Sequence, residues 1–585
     1  MRQLTGILKQ FRQQWARALL LVLLAGLAPL MLVLPILRHL VGMILRAGDV
    51  PVLAPGSALL ILLHRPLVIC GLLLVVFVFV VLASAQLLFL CAALTTRRDD
   101  TFSAAVHRGW RQARRVPWGL LPLLVTAALL FIPLSGLIFA GSLIAKLRLP
   151  LFLAWWLGLR PLLAAGVFGL YLLCSWLGIR CLGALANVLQ GMNASTALRK
   201  SWRQTRGHFW SISLTVLGLL LMTAAVSYAW TGLIAGVQHL FDGTAQAFGV
   251  AVFLAALLFL GKMLIHAAAC ALFILLLVNP LATHMQARVP QSRTSRRELV
   301  VLGIVSLCLT LVPLTVAMRT YEFNPRPLTI AHRGVDGNNG VQNTIAALQR
   351  TAVHHPDYVE MDVHETKDQQ FVVLHDENLR KLAGVDKRPR ELTLRQLQNL
   401  TIRENGRQGK LASFDDYLKV AARQHQQLIV ELKTTPADSR EMLKHFAQRY
   451  GRRLQAQGDR VHSLDYVTIA ALKRRLPQLD ASFVLGGSVV FPRTKLNAYS
   501  MGTPLLDTVF TTQAHAHGQA VWAWTVNTRA NMVQMMFAGS DAIVTDHLSQ
   551  LQAVMRQQQR HSAYAQWLVL LSDSGDDLYL GGMAE

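Results

Sequence analysis

Leu328-Thr-Ile-Ala331-His332-Arg333-Gly334 and Tyr358-Val-Glu360-Met-Asp362-Val363 decide the fold of half this chain. Each is a short apolar run that ends in charge, the pattern of a buried strand with chemistry at its tip. Glu360 and Asp362 stand two apart, so an extended backbone points both to one side. Outward from them, further apolar runs lie at 371–374, 428–432, 482–485, 520–526 and 542–544. Helical patterns at 345–354, 414–424, 440–455, 469–475 and 529–537 separate most of them. Strands alternating with helices predict a parallel sheet. About 240 residues of such units is the size of one closed (β/α)₈ TIM barrel. An open doubly wound sheet is the runner-up, disfavoured because no Gly-rich phosphate loop follows a strand.

Toward the N-terminus the composition changes. The chain has 585 residues, of which 53% are hydrophobic and 15% charged, against about 25% charged in ordinary soluble proteins. Residues 1–318 hold 26 Lys/Arg against 5 Asp/Glu, and residues 319–585 hold 31 against 27. The charge excess belongs to the apolar half, which excludes a simple cytosolic enzyme, a disordered chain and a conventional nucleic-acid binder. Runs long enough to cross a bilayer fall near 18–38, 67–94, 118–145, 161–190, 210–236, 248–282 and 298–318. Lys and Arg favour the N-terminus and alternate connections by 18 to 6. The positive-inside rule then places the N-terminus in the cytoplasm and everything after residue 318 on the outer face of the cell membrane. The expected division is a transmembrane domain at 1–318, a linker at 319–325, the barrel at 326–560 and a tail at 561–585.

The segment 103–114, with Trp110-Arg-Gln112, repeats at 195–206, with Trp202-Arg-Gln204, and suggests repeated helix pairs. Interfacial anchoring by Trp and Arg is preferred to anionic-lipid binding for these copies. The six cysteines all lie in or beside apolar runs, without metal or redox spacing. Lys262 and His266 share one face of the sixth run, where ionisable groups are candidates for a pathway. Trp567 and its apolar neighbours to Leu571 read as a docking segment or a frayed end.

The strand tips of the second half carry the chemistry. His332, His375, Glu360, Asp362, Glu431, Lys433, Asn527 and Asp546 all stand at or just past strand ends. Carboxylates crowded in a barrel mouth call for a hard divalent cation, Ca²⁺ or Mg²⁺. His332 and His375 titrate near working pH and suit general acid and base. Arg333 and Lys433 suit an anionic substrate, and the set fits displacement at phosphorus. It fits glycoside hydrolysis poorly, since that reaction needs two carboxyls in different roles.

Ala331-His-Arg-Gly334, Gln342-Asn-Thr344, Glu360-Met-Asp362, Thr366-Lys-Asp368, His375-Asp376, Glu431-Leu-Lys433 and Trp524-Thr-Val-Asn527 resemble the glycerophosphodiester phosphodiesterases. The resemblance covers about 326–552, and the preceding region is similar to the membrane domain of some bacterial members. It implies a TIM barrel and metal-dependent release of glycerol 3-phosphate and an alcohol. By position it implies His332 and His375 as the acid/base pair, Arg333 on phosphate, and Lys433 and Trp524 facing substrate. Glu360, Asp362 and Glu431 would be the metal ligands, with Gln342 and Asn343 beside them. The family usually has Pro-Glu-Asn-Thr where this chain has Val341-Gln-Asn-Thr344, so weakened or altered metal binding is expected. Two alternatives are cleavage of lipid or lysolipid head groups, and a degenerate barrel serving as a sensor or transporter accessory. The partners expected are the substrate and the bilayer, with no nucleic acid.

Overall fold

A computed structural model describes residues 2–28, 32–48, 50, 65–95, 101–114, 161–278, 295–486, 491–503 and 506–581. The N-terminal half is helical: α1 (Arg2–Ala28), α2 (Leu34–Ala47), α3 (Pro66–Leu94), α4 (Phe102–Ala113), α5 (Pro161–Cys181), α6 (Ala184–Leu189), α7 (Ala194–Arg206), α8 (Phe209–His239), α9 (Ala247–Val278) and α10 (Arg296–Arg319). Among the described residues five stretches are long and apolar enough to cross a membrane: α3, α8, α9, α10, and Leu162–Leu189 across α5 and α6. They are apolar on all sides and leave Leu73, Leu74, Phe168, Leu214 and Leu221 exposed, as helices solvated by lipid do. The run expected near 18–38 is divided between α1 and α2. The run near 118–145 lies outside the described residues.

The repeat is realised as two matching amphipathic helices. Thr101 caps α4 by accepting from Ala104 N at 3.2 Å, and Asn193 caps α7 by accepting from Thr196 N at 3.0 Å. Each cap satisfies an otherwise orphan N–H of the first turn. Trp110 and Trp202 remain exposed, and Arg180 stacks over the Trp202 ring at 4.6 Å. At the other end of the bundle, α1 and α10 are tied by a nearly buried ion pair, Arg17 Nε to Glu298 Oε1, at 2.9 Å.

The barrel has eight parallel strands: β1 (Leu328–Ala331), β2 (Tyr358–Glu365), β6 (Leu428–Leu432), β7 (Arg460–Ser463), β8 (Asp480–Leu485), β9 (Ala498–Gly502), β10 (Ala520–Trp524) and β11 (Ala542–Thr545). They neighbour one another in that order, and β1 pairs with both β2 and β11, which closes the sheet. The run at 371–374 is not a barrel strand. It forms β3 (Phe371–Val373), antiparallel to the far end of β2. A hairpin of β4 (Thr401–Glu404) and β5 (Arg407–Lys410) stands apart from the sheet, over a small core of its own that includes Val341, Leu374, Leu397 and Ile402. Inward-pointing Ile330, Ile429, Ala498, Trp522 and Val544 fill the lower barrel, below the polar tips. Arg460 stacks over Tyr358 and Trp522 there, at 4.6 and 5.3 Å.

The tail is a helix, Tyr564–Gly581, wedged between barrel and bundle. Trp567 is fully buried and meets Tyr321 edge-on at 5.2 Å, while Phe537 stacks on Phe323 at 4.4 Å. Asp242, in the α8–α9 turn, accepts from the backbone N–H groups of Tyr564 and Ala565 at 3.1 and 3.3 Å. A carboxylate at that end complements the helix dipole. Lys262 Nζ donates to both the carbonyl and the hydroxyl of Ser572, each at 2.8 Å. The intramembrane lysine thus holds the terminal helix against α9.

Candidate active site

Every site residue expected from the sequence lies at the C-terminal end of the barrel or just beyond it, where active sites of this architecture form. β1 runs straight into His332, whose Nδ1 lies 2.7 Å from Asp546 Oδ1 at the tip of β11. Asp546 is fixed in turn by Asn527, which donates to its Oδ2 at 2.6 Å and accepts from its backbone N at 2.9 Å. Burial works against the charge on Asp546, but the His332 and Asn527 hydrogen bonds outweigh it and hold the carboxyl below its ordinary range. An ionised carboxylate only accepts, so His332 carries its proton on Nδ1 and presents Nε2 to the site. That nitrogen lies 4.0 Å from Glu360 Oε2.

His375 follows β3 and repeats the arrangement with its chain neighbour. Its Nδ1 is 2.9 Å from Asp376 Oδ1, and this hydrogen bond is the main reason the Asp376 carboxyl lies below its ordinary range. The buried ring of His364 on β2 steadies the turn through Nε2 to His375 O at 3.2 Å. Burial pushes the His364 pKa down to about 4, so it stays neutral.

The carboxylates divide their duties. Glu360 accepts the backbone N–H of Arg333 at 2.9 Å. That contact draws Arg333 into the left-handed region, φ 51°, a conformation a non-glycine residue keeps only when its surroundings demand it. Asp362 is fully buried, with Lys433 Nζ 2.9 Å from Oδ1 and Asn343 Nδ2 donating to Oδ2 at 2.8 Å. Lys433 also donates to Glu431 Oε1 at 2.6 Å. Burial opposes the charge on Asp362, and the Lys433 charge, then those of His375 and Arg333, override it and push the carboxyl far down. Glu360 and Glu431 instead come together with His462 of β7, their ligand atoms all within 4.8 Å of one another. Two converging buried carboxylates, of which only Glu431 is paired with Lys433, are a donor set suited to a divalent cation. Arg333 Nε is buried without a hydrogen-bond partner, and so is Trp524 Nε1 at the tip of β10; both are donors available to a substrate.

Gln342 shows why this chain departs from its expected motif. Its carbonyl accepts from Arg333 at 2.6 Å, while its amide donates to Glu404 of β4 at 2.7 Å. The backbone N of Gln342 also donates to Glu404, at 3.0 Å. The negative charge absent from position 342 is supplied by the hairpin. Gln342→Glu therefore sets two carboxylates face to face, and the barrel should lose about 2 kcal/mol of stability through repulsion and the lost amide donor. Thermal unfolding measures this, and Gln342→Glu/Glu404→Gln should recover most of it. Equal losses in the single and double variants would refute the exchange.

Neither His462 nor Glu404 was among the sequence candidates. Asp546 was noted as a strand tip, without a role. The signal for His462 is its two-residue spacing from Arg460, visible only once β7 is recognised as a strand.

Sequence profiles of known families match the whole layout. "Membrane domain of glycerophosphoryl diester phosphodiesterase" covers residues 4–316, and "Glycerophosphoryl diester phosphodiesterase family" covers 332–550. The glycerophosphodiester phosphodiesterase of Caldanaerobacter subterraneus is 24% identical over 235 residues, 38% of this chain and 94% of that protein. Human lysophospholipase D GDPD1 is 49% identical over 57 residues, 10% of this chain and 18% of that protein. A phosphodiesterase of Oleispira antarctica, solved with the product sn-glycerol-3-phosphate, aligns at 19% identity with a TM-score of 0.36, covering 41% of this chain and 99% of its own.

Proposed function

Because the chain belongs to the glycerophosphoryl diester phosphodiesterase family, membrane domain included, we propose that its barrel mouth hydrolyses glycerophosphodiesters by paired histidine catalysis beside a divalent cation. The observation that carries this reading is the double anchoring of the imidazoles, His332 by Asp546 and His375 by Asp376, each through Nδ1. Both rings are thereby left with Nε2 for proton transfer. Hydrolysis breaks the P–O bond to the alcohol, takes a proton from the attacking water and returns one to the departing oxygen. Two histidines of fixed orientation serve those two transfers. Arg333 grips a non-bridging phosphate oxygen with its spare N–H groups, and Lys433 keeps Asp362 ionised while donating to Glu431. A bound cation supplies Lewis-acid charge at the phosphate, with Glu360 and Glu431 among its ligands. Trp524 offers its N–H to the glycerol or head group.

The positive-inside bias of the sequence supports a cytoplasmic N-terminus and a barrel on the outer face of the cell membrane. A lysolipid head group is the second substrate reading, favoured by the 57-residue match to a lysophospholipase D. Full-length protein in nanodiscs separates the two readings. Glycerophosphocholine and glycerophosphoethanolamine should yield glycerol 3-phosphate with added divalent cation and none with chelator. Release of lysophosphatidic acid from lysophosphatidylcholine, without turnover of the soluble diesters, would transfer the assignment to the lipid. Turnover of neither would overturn both.

A further inference from the structure

We propose that His462 is a ligand of the cation site, and that its nitrogen turns the site's preference from Ca²⁺ and Mg²⁺ toward Mn²⁺, Co²⁺ or Zn²⁺. The inference rests on the cation reading above and adds to it a residue and a selectivity.

β7 places Arg460 and His462 on the inner face of the barrel, Arg460 among the rings of its floor and His462 one layer higher. In register, His462 stands beside Glu431 of β6 on one side and Ser482 of β8 on the other. Its side chain is 5% exposed. Neither ring nitrogen has a hydrogen-bond partner, and the Ser482 hydroxyl next to it has none either. The nearest acceptor is Glu360 Oε1, 3.6 Å from Nε2, too long for a hydrogen bond. Both ring nitrogens are buried without a hydrogen bond, and one of them converges with oxygens of Glu360 and Glu431, all within 4.8 Å of one another. That is the arrangement of a ligand awaiting a metal.

Asp362 stands nearby, with Lys433 Nζ 2.9 Å from Oδ1 and Asn343 donating to Oδ2 at 2.8 Å, and His462 adds a nitrogen to the oxygens of Glu360 and Glu431. Oxygen-only sites suit Ca²⁺ and Mg²⁺. Adding an imidazole nitrogen to such a site favours the first-row transition ions, whose affinities rise along the Irving–Williams order.

The test is the electron spin echo of Mn²⁺ bound to full-length protein in nanodiscs, where a coordinated imidazole modulates the echo through its ¹⁴N. Modulation should be present in the wild type, absent in His462→Gln and retained in His332→Ala/His375→Ala. Competition dialysis should show the preference for Mn²⁺ over Mg²⁺ falling at least tenfold in His462→Gln, since glutamine restores an oxygen donor. If His462→Gln fails to fold, the signal retained in the double variant supports His462 and its loss there overturns it. Mn²⁺ binding without ¹⁴N modulation, or modulation indifferent to His462→Gln, overturns the inference and leaves the cation reading intact. Binding of Mg²⁺ or Ca²⁺ but not Mn²⁺ by the wild type overturns the inference alone, and binding of none of the three overturns both.

Discussion

Asp546→Asn should lower kcat by about 10²–10⁴-fold with little change in KM, and His332→Ala should lower it at least as far. The alanine variant simply lacks the proton carrier. The asparagine variant is the sharper experiment because it preserves shape. Asn527 donates to Asp546 Oδ2 at 2.6 Å, so an amide at 546 must turn its carbonyl toward Asn527. Its NH₂ then faces His332 Nδ1, which can no longer donate. The proton moves to Nε2, and the ring presents the wrong face to the site. Steady-state kinetics on glycerophosphocholine measure the loss. An Asp546→Asn enzyme within threefold of wild type would remove the dyad from the mechanism.

Lys433→Met should destabilise the barrel by about 3–5 kcal/mol, because it removes the ammonium that two buried carboxylates share. Lys433 contacts Asp362 at 2.9 Å and Glu431 at 2.6 Å. Burial alone would lower the lysine pKa, yet attraction to Asp362 and then Glu431 raises it above its ordinary value. The two depart from their ordinary values in opposite directions. A raised lysine contributes stability that is present below about pH 10 and lost only as pH climbs through the folded value. A depressed aspartate contributes stability present above about pH 4 and lost as pH falls through the folded value. Between pH 5 and 8 the wild type keeps both. Without the ammonium, Asp362 loses the charge that holds its carboxyl down and protonates more readily, so acid relieves the repulsion. The deficit should be largest at pH 8 and smaller at pH 5. Thermal unfolding with chelator present reads it as a fall in the barrel's Tm of about 6–20 °C at pH 8. An equal deficit at both values would mean that lost packing, not charge, explains it.

Local pattern carried much of this architecture. Two-residue alternation at Glu360 and Asp362 marked a strand with a charged inner face, and the structure has β2 there. Residue-level hydropathy marked the apolar helices because a spanning helix satisfies its own backbone and needs only lipid-soluble side chains. Strands that depart from apolar runs were not legible. β7 is Arg-Val-His-Ser and β9 is Ala-Tyr-Ser-Met-Gly; their inner faces carry Arg460, His462 and Ser500, which read as loop in one dimension. The opposite error occurred at 371–374, a buried apolar run that pairs antiparallel outside the barrel. Apolar content reports burial, not which neighbour a strand takes.

By itself the sequence determined the layered design, a lipid-solvated helical half and a barrel whose strand tips bear His332, His375, Glu360, Asp362, Glu431 and Lys433, since each signal lives within a few residues of chain. Only the tertiary structure decided how those groups are shared. It set His332 on Asp546, 214 positions away, bridged Gln342 to Glu404, and brought His462 to Glu360 and Glu431. It also set Lys262 under the terminal helix, 310 positions on. Closure of the sheet makes such neighbours: β1 and β11 become adjacent only when the barrel shuts, and strand register then selects which inward side chains meet.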